Sequence, residues 1–365
     1  MNGRPLRVFY NASALPARPA GAGVYTVELG RALAAVPGVE LVVAAPEPFA
    51  FGVDTIRPRP TGRGRQAWEA IALSGVLARS EVDVYHGPHF YVPKTVVPAV
   101  ATVHDLTFYR MPARYTSWHR RYYRYLAQCA KRAARVIVPS ATVAADVVRY
   151  LGYPPEHVRV IAEAPRAGLA PASAEEVAAA RRELSLESPY LLCLGTAEPG
   201  KRAVDAIRAM PAILAQAPGT TLALAGNPGR LSAGLEREAG RLGVSRSVRF
   251  LGYVPDDALA PLLTGATALL FPSLFEGFGL PPLEAMACGT PVVAADAPAV
   301  SEVLAGAAVF VPARDPSVIA VEAVRLLTTP GLRAELSAQA LEFAARFSWE
   351  RAAAETVDVY REVVS

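Results

Sequence analysis

The chain has 365 residues, of which 52% are hydrophobic and 19% are charged. This composition excludes a largely disordered protein, and the length favours two domains, because single hydrophobic cores seldom grow beyond about 250–300 residues. Pro or Gly interrupts every long uncharged apolar run, and residues 1–15 hold no apolar run suited to a signal peptide. We therefore expect no membrane-spanning helix and a cytoplasmic location.

The net charge of +4 conceals an asymmetry between the two halves of the chain. Residues 1–170 contain 21 Lys and Arg against 11 Asp and Glu, whereas residues 171–365 contain 16 against 22. A basic first half suggests an anionic partner, such as a phosphate-bearing acceptor or a membrane surface. The cysteines Cys129, Cys193 and Cys288 are spaced too widely for a local zinc site, so we expect no metal and no disulfide.

Short apolar strands alternate with helices along the whole chain. In the first half we predict strand 6–10, helix 23–34, strand 40–44, helix 67–78, and strands 83–86, 99–103, 135–138 and 158–161. A segment rich in Pro, Ala and Gly, residues 164–173, predicts a linker. Strands 190–195, 221–225, 248–250, 268–271 and 291–294 follow, and an amphipathic helix at 349–364 ends the chain.

Parallel strands joined by helices form sheets that are covered by helices on both faces. We therefore predict an α/β protein with two Rossmann-like, doubly wound domains facing each other across a cleft. The predicted domains are residues 1–165 and 166–347, and helix 348–365 is expected to pack back toward the first domain. Ligands of such sheets bind at the carboxyl ends of the strands.

The most specific motif is the segment 271–296, in which two glutamates, Glu276 and Glu284, are separated by seven residues. Glu276 follows a predicted strand in a glycine-containing loop, where backbone amides can approach a ligand. Glu284 lies near the start of a predicted helix that opens at Pro281 and Pro282, and a carboxylate there can accept hydrogen bonds from vicinal hydroxyls. The alternative is two surface glutamates beside a turn.

Two further loops suit the phosphates of a ligand. In residues 194–202 a strand ends in a Gly- and Pro-containing loop, and Lys201 stands at the mouth of the next helix, where a cation can neutralise a diphosphate. Gly21 and Gly23 open the first predicted helix. They do not form a dinucleotide fingerprint, because Thr26 occupies the third glycine position and an insertion separates them from the first strand.

Three histidines follow predicted strands of the first half. His104 precedes Asp105, which can fix its tautomer or cap the next helix. His86 and His89 lie at the end of another strand, where acceptor contact and a satisfied structural role are both open interpretations. We find no pair of aspartates suited to holding a metal.

These motifs resemble those of the retaining GT-B glycosyltransferases of family 4, also called glycosyltransferase group 1, including its mannosyltransferases. The resemblance implies that Glu276 and His104 contact the transferred sugar, that Glu284 holds the nucleotide ribose, and that Lys201 neutralises the leaving diphosphate. The other donor-binding residues that it implies are Gly21, Gly23, Thr196, Arg202, Gly277, Phe278, Gly279 and Leu280. Gly200 stands where relatives commonly carry a second basic residue, and Arg202 is the nearby candidate to replace it.

The segment 109–135 carries eight basic residues with interleaved aromatic side chains, and no acidic residue occurs between Asp105 and Asp146. This pattern suits a surface lying on lipid headgroups or a pyrophosphate-bearing acceptor, and it also suits a merely solvated helix. Nucleic acid is not expected, because no recognised nucleic-acid module surrounds the segment. The candidate acceptor-binding residues are His86, His89, Arg120 and Arg121.

The resulting hypothesis is a retaining hexosyltransferase of bacterial polysaccharide or glycoconjugate synthesis. Its donor would be GDP-mannose or a UDP-hexose, and its acceptor a glycan or lipid-linked glycan, with possible peripheral contact to the inner membrane face. By resemblance we expect no metal or other cofactor, and catalysis by His104, Glu276 and Lys201. The departing phosphate oxygen is expected to take the acceptor proton.

Three other functions are alternatives to this hypothesis. A GT-B-fold sugar-nucleotide epimerase would need no acceptor surface, an NAD-dependent dehydrogenase would need an intact glycine fingerprint, and a non-catalytic sugar-binding scaffold would not need all the motif residues together. One departure from the family pattern follows strand 158–161. Many relatives have an Asn-Gly or Glu-Gly turn there, whereas this chain has Ala162-Glu163-Ala164-Pro165, which is expected to alter the hinge between domains.

Overall fold

The computed structural model describes residues 4–46, 49, 51–53, 55–56, 68–186, 189–229 and 231–365. The chain forms two compact units, one comprising Met1–Ala167 and Phe347–Ser365, the other Gly168–Arg346. The first crossing between the units therefore falls inside the segment 164–173, and the chain returns to the first unit just before its last helix.

The first unit contains a parallel sheet of seven described strands in the order β3-β2-β1-β4-β5-β6-β7. The strands are β1 (Leu6–Asn11), β2 (Val39–Ala44), β3 (Thr55–Ile56), β4 (Val84–Gly87), β5 (Ala99–Thr102), β6 (Arg135–Val138) and β7 (Val158–Val160). Its helices are α1 (Ala22–Ala34), α2 (Leu73–Arg79), α3 (Thr107–Arg110), α4 (Ser117–Ala130), α5 (Ala141–Asp146) and, from the chain end, α14 (Trp349–Val364); a π-helical turn, Val147–Leu151, continues α5.

The second unit contains a parallel sheet of six described strands in the order β10-β9-β8-β11-β12-β13. They are β8 (Tyr190–Leu194), β9 (Thr221–Ala225), β10 (Val248–Gly252), β11 (Ala268–Phe271), β12 (Val292–Ala295) and β13 (Val309–Val311). The helices are α6 (Ala174–Glu183), α7 (Ala203–Gln216), α8 (Ser232–Arg241), α9 (Asp256–Gly265), α10 (Leu280–Ala287), α11 (Pro298–Val303), α12 (Pro316–Thr328) and α13 (Leu332–Ala344).

The central strands of both sheets are buried on both faces, and most of their residues are apolar. Every residue of β4, β5, β9, β11 and β12 is buried. Helix α14 belongs to the core of the first unit, where Trp349, Val357 and Tyr360 share one apolar cluster with Tyr10 and Leu29. The indole Nε1 of Trp349 also donates to the carbonyl oxygen of Pro165 at 2.8 Å.

The predicted α/β, doubly wound architecture is confirmed, and each strand predicted within the described residues is present, with ends that shift by at most two residues. The short edge strands β3 and β13 were not predicted. The first residue of predicted helix 67–78 lies outside the described residues, and α2 runs over Leu73–Arg79. No helix in the described part of the chain is long and apolar enough to cross a lipid bilayer.

Candidate functional site

The predicted site residues fall into two groups, one in each unit. In the second unit the strand order reverses between β8 and β11, since the chain runs outward from β8 to β10 on one side and from β11 to β13 on the other. Loops at such a reversal diverge and leave a crevice at the carboxyl ends of the two strands. The loop after β8 carries Lys201, and the loop after β11 carries Glu276.

Lys201 and Glu276 meet at this point of the sheet. The Nζ of Lys201 donates to both carboxylate oxygens of Glu276, at 2.7 and 2.8 Å, and Ser273 Oγ donates to the same carboxylate. The two loops are also joined through their backbones, because Leu274 N donates to Gly200 O at 2.9 Å. The structure therefore brings together the two residues that were predicted to act on the diphosphate and on the sugar.

Helix α10 begins directly after the Glu276 loop. Its N-cap residue, Gly279, has φ +111°, a conformation that L-residues with a side chain rarely adopt, and it makes no side-chain cap hydrogen bond. The N-terminal end of the helix is therefore presented without a capping side chain, as suits an anionic ligand. Glu284 lies in the second turn of α10 and is 3% exposed.

Arg202 forms an ion pair with Asp205, which was not predicted from the sequence. Its Nε and Nη2 donate to the two carboxylate oxygens of Asp205, with 2.7 Å for the Nε contact, and Asp205 is fully buried. A buried carboxylate needs such a counter-ion, so the charge of Arg202 is already balanced within the protein. As a unit the pair contributes little net charge to a diphosphate.

A cavity of about 230 Å³ opens at the ends of β8, β9, β10 and β11. It is lined by Gly195, Thr196 and Lys201, all from the predicted phosphate loop. Other lining residues, including Asn227, Ser232, Glu236 and Phe250, were not predicted from the sequence. The glycine that follows β9, Gly226, was the available signal, because a glycine at a strand end permits close approach of a ligand. Glu276 and Glu284 are not among the described residues that line this cavity.

In the first unit the strand order reverses between β1 and β4. A cavity of about 180 Å³ lies at that reversal, and its walls include Asn11 at the end of β1, Gly23 in α1 and His89 after β4. Gly21 is exposed at the N-cap of α1. Of the predicted residues of the first unit, Gly23 and His89 line this cavity.

His104 follows β5 and is held by contacts on both ring nitrogens. Its Nδ1 lies 3.1 Å from Glu163 Oε1, and its Nε2 lies 2.8 Å from the carbonyl oxygen of Pro88. The ring of Tyr25 packs edge-on against it, with 4.7 Å between ring centroids. Asp105, the neighbour expected to fix the tautomer or cap a helix, accepts a hydrogen bond from Thr107 N at the start of α3 instead of contacting the ring.

His86 is fully buried, so of its two interpretations the structural role holds and acceptor contact does not. Its Nδ1 lies 2.6 Å from the hydroxyl of Tyr360, and its Nε2 lies 2.8 Å from Thr102 Oγ1. Thr102 Oγ1 in turn lies 3.0 Å from the hydroxyl of Tyr25. This network fixes α14 and α1 to the sheet, and it leaves no surface of His86 for a ligand.

The buried position of His86 predicts a loss of stability in acid. Burial, with the charge of His104 as a smaller contribution, lowers the pKa of His86 to about 3, against about 6.5 in an unfolded chain. Between those values the unfolded state binds the extra proton, so the free energy of unfolding falls as the pH falls. From pH 7 to pH 5 we expect His86 to remove about 2 kcal/mol.

Urea titrations followed by tryptophan fluorescence test this expectation, because Trp68, Trp118 and Trp349 all belong to the first unit. The variant His86→Gln should lose less stability than the wild type over the same pH interval, whatever its stability at pH 7. Equal losses in the two proteins would contradict the assignment of His86 as a buried neutral group.

The basic segment 109–135 is not one open surface. Arg110 pairs with the buried Asp146, Arg132 donates to the carbonyl oxygen of Val92, and Arg135 pairs with Glu362 of α14. The exposed basic residues of the segment are centred on α4. Arg121 and Arg124 of this helix are exposed, and Arg120 is half-buried. Trp118 and Tyr125 on the same helix are 56% and 49% exposed.

Among the residues that the structure describes, no group of three or more His, Cys, Asp or Glu side chains is placed to hold a metal ion. The three cysteines are buried and unbonded to each other. Burial raises the pKa of Cys193 and of Cys288 to about 12, which favours the protonated thiol in both at neutral pH.

Comparison with known proteins agrees with this arrangement. The glycosyl transferases group 1 family matches residues 176–343, and glycosyltransferase family 4 matches residues 19–163. The O-antigen chain mannosyltransferase B of Escherichia coli is 29% identical over 300 residues, which is 81% of this chain and 77% of that protein. The D-inositol 3-phosphate glycosyltransferase of Streptomyces bingchenggensis is 33% identical over 65% of this chain and 54% of its own length.

Among solved structures, Anabaena HepE in complex with UDP and glucose superposes with a TM-score of 0.77. The alignment covers 98% of this chain and 100% of that one at 19% identity, which shows a shared GT-B fold. The two family matches together extend over both units and include the Lys201 and Glu276 loops as well as His104. The chain therefore belongs to glycosyltransferase family 4, whose members are retaining GT-B enzymes that use nucleotide sugars.

Proposed function

We propose that the protein transfers a hexose, with retention, from a nucleoside-diphosphate sugar to a hydroxyl of a glycan or lipid-linked acceptor in bacterial polysaccharide or glycoconjugate synthesis. The observation that carries this proposal is the Lys201–Glu276 pair at the β8–β11 reversal. GDP-mannose is the first candidate donor, and similarity to a mannosyltransferase of O-antigen chains supports it. UDP-hexoses are second, and the UDP and glucose bound to HepE support them.

Each proposed role follows from the charge that develops during transfer. The departing diphosphate gains negative charge, which Lys201 and the amides of the loop after β8 would stabilise. Glu276 would release Lys201 to the diphosphate and accept hydrogen bonds from hydroxyls of the sugar. Glu284 would bind the ribose hydroxyls, and His104 of the first unit would contact the transferred sugar. Arg202 is assigned to Asp205 rather than to the donor.

Front-face attack fits this set of residues, because the departing phosphate oxygen can take the proton of the acceptor hydroxyl. A double displacement would instead need a carboxylate free to bond the anomeric carbon. Glu276 also accepts a hydrogen bond from Ser273, and this contact remains when Lys201 turns to the diphosphate, which suits a binding role rather than that of a nucleophile. For the acceptor we propose that the exposed face of α4, with Trp118, Arg121 and Tyr125, lies toward an anionic lipid-linked glycan or its membrane.

Calorimetric titration with GDP-, UDP-, dTDP- and ADP-sugars tests the donor assignment. One class should bind clearly, and Glu284→Ala should weaken that binding about tenfold or more, because hydrogen bonds to a charged group contribute about 1.5–3 kcal/mol. Glu284→Gln, which keeps the volume of this buried side chain, should weaken it as well. The matched control is Glu183→Ala, which removes an exposed carboxylate of α6 in the same unit and should bind as the wild type does.

Failure of every nucleotide and sugar nucleotide to bind the folded protein would contradict the transferase proposal and favour a non-catalytic scaffold. Binding without transfer to any acceptor, but with interconversion of the donor sugar, would favour the epimerase.

A further inference from the structure

Glu163 was noted in the sequence only as part of an unusual turn, and the structure gives it a specific partner. It lies three residues beyond the end of β7, where Ile161 N donates to Val138 O at 2.9 Å and keeps the chain against the sheet. The Glu163 side chain is 5% exposed, and its Oε1 lies 3.1 Å from Nδ1 of His104. The two residues are 59 positions apart and come from the ends of different strands.

The contacts at the two ring nitrogens of His104 determine how many protons His104 and Glu163 bind together. Nε2 lies 2.8 Å from the carbonyl oxygen of Pro88, which can only accept, so Nε2 must carry a proton. Nδ1 faces a carboxylate oxygen, and that contact needs a second proton between the two atoms. A carboxylate paired with a doubly protonated imidazole satisfies both contacts. It also keeps the buried pair neutral overall, as a buried charge requires.

The other titratable groups around His104 do not supply this counter-charge. Tyr25 packs on its ring, and burial raises the pKa of Tyr25, so that hydroxyl is neutral. His86 is neutral above pH 3 because burial lowers its pKa to about 3. The ring of His89 lies 6.1 Å away between centroids, and Asp105 accepts from Thr107 N. Glu163 is thus the carboxylate that contacts the imidazole ring of His104.

We propose that Glu163 is a positioning residue that holds His104 as a cation through Nδ1. When the donor is bound, Nε2–H of His104 then exchanges its contact with the carbonyl oxygen of Pro88 for a hydroxyl of the transferred sugar, and His104 does not act as a base. This inference rests on the proposed function, in which His104 contacts that sugar. An imidazolium has no lone pair to receive a proton. The acceptor proton must then leave by another route, in agreement with transfer to the departing phosphate oxygen.

The proton count can be measured without any donor. In full-length protein labelled with ¹⁵N-histidine, both ring nitrogens of His104 should give signals of the protonated type at neutral pH. The signals are assigned by their loss in His104→Gln, since the chain has five histidines. In Glu163→Gln, Nδ1 of His104 should change to the unprotonated type, because an amide can donate to Nδ1 where a carboxylate can only accept. An unprotonated His104 nitrogen in the wild type would overturn the proposal.

The kinetic consequence is a selective loss in kcat. Glu163→Gln keeps the shape of the side chain and should lower kcat about 10- to 100-fold, with the donor KM changed less than about threefold, because a charge-assisted contact to the reacting sugar is lost. Glu156→Gln is the matched control, since Glu156 is an exposed glutamate of the same unit. A wild-type kcat in Glu163→Gln would also overturn the proposal.

Two measurements distinguish a failure of this inference from misfolding of the variant and from a failure of the transferase proposal. Thermal unfolding of Glu163→Gln identifies a variant that loses activity through misfolding, and in that case the wild-type ¹⁵N spectrum alone decides. If no donor binds the wild type, the transferase proposal fails, whereas the protonation of His104 is still tested by the same spectrum.

Discussion

Replacing Lys201 with alanine should lower kcat about 10²- to 10³-fold, the size of effect expected when one preorganised group that stabilises developing charge is removed. Lys201 is the cation at the β8–β11 reversal, and its loop is fixed by Lys201 N donating to Glu198 O at 3.1 Å. A loss of charge stabilisation should act mainly on kcat, with a smaller change in the donor KM. Steady-state kinetics with the donor identified by calorimetry measures both.

The ion pair predicts that the effects of Lys201 and Glu276 are coupled. Lys201→Ala leaves the Glu276 carboxylate, which is 15% exposed, without its cation. The double variant Lys201→Ala/Glu276→Gln should therefore lose less activity than the product of the two single losses. Lys131→Ala removes an exposed lysine after α4 and serves as the control for net charge. An activity of Lys201→Ala within threefold of the wild type would contradict the assignment of Lys201 to the leaving group.

The second large effect concerns the backbone of the donor-side cavity. Gly226 follows β9, has φ +133°, and donates from its N–H to Gly252 O at 2.7 Å. A Cβ at this position would lie 2.3 Å from the carbonyl oxygen of Gly195, so one of two backbone segments would have to move. Gly226→Ala should lower the free energy of unfolding of the second unit by about 3 kcal/mol or more, and should also weaken nucleotide binding.

Gly219 supplies a matched control for the conformational part of that effect. Its φ is +84°, but a Cβ there meets no atom within 4 Å. Gly219→Ala should therefore cost only the left-handed conformation, about 1–2 kcal/mol, and should leave binding unchanged. Denaturant titrations followed by circular dichroism compare the two, because the tryptophans lie outside the second unit. Equal losses in the two variants would contradict the steric argument.

Charge partners account for most of the difference between the predicted and the observed surface. The segment between Asp105 and Asp146 contains no acid, so the local sequence offers its arginines no charge partner. Arg135 and Arg159 nevertheless share Glu362, which is more than 200 residues away in α14. A local pattern cannot identify such partners, because the sheet brings together chain segments whose separation in sequence leaves no periodic signal.

The histidines show the same limit at the site itself. His86 lies in β4, His89 follows β4 and His104 follows β5 of the same sheet. The family resemblance singled out His104, but the sequence did not distinguish a structural from a binding role for His86 and His89. Burial against Tyr360 gives His86 a structural role, whereas contact with Glu163 gives His104 a counter-charge. Both partners lie on elements that are distant in sequence, and only the packing of those elements determines the environment of each ring.

The sequence by itself determined the two-sheet α/β architecture, the family, and the loops that hold Lys201 and Glu276. Those features depend on local patterns: the apolar run of each strand, the glycine and proline positions of each loop, and the seven-residue spacing of the two glutamates. The tertiary structure alone decided which side chains meet. It joined Lys201 to Glu276, Arg202 to Asp205 and His104 to Glu163, because strand order and burial set those distances.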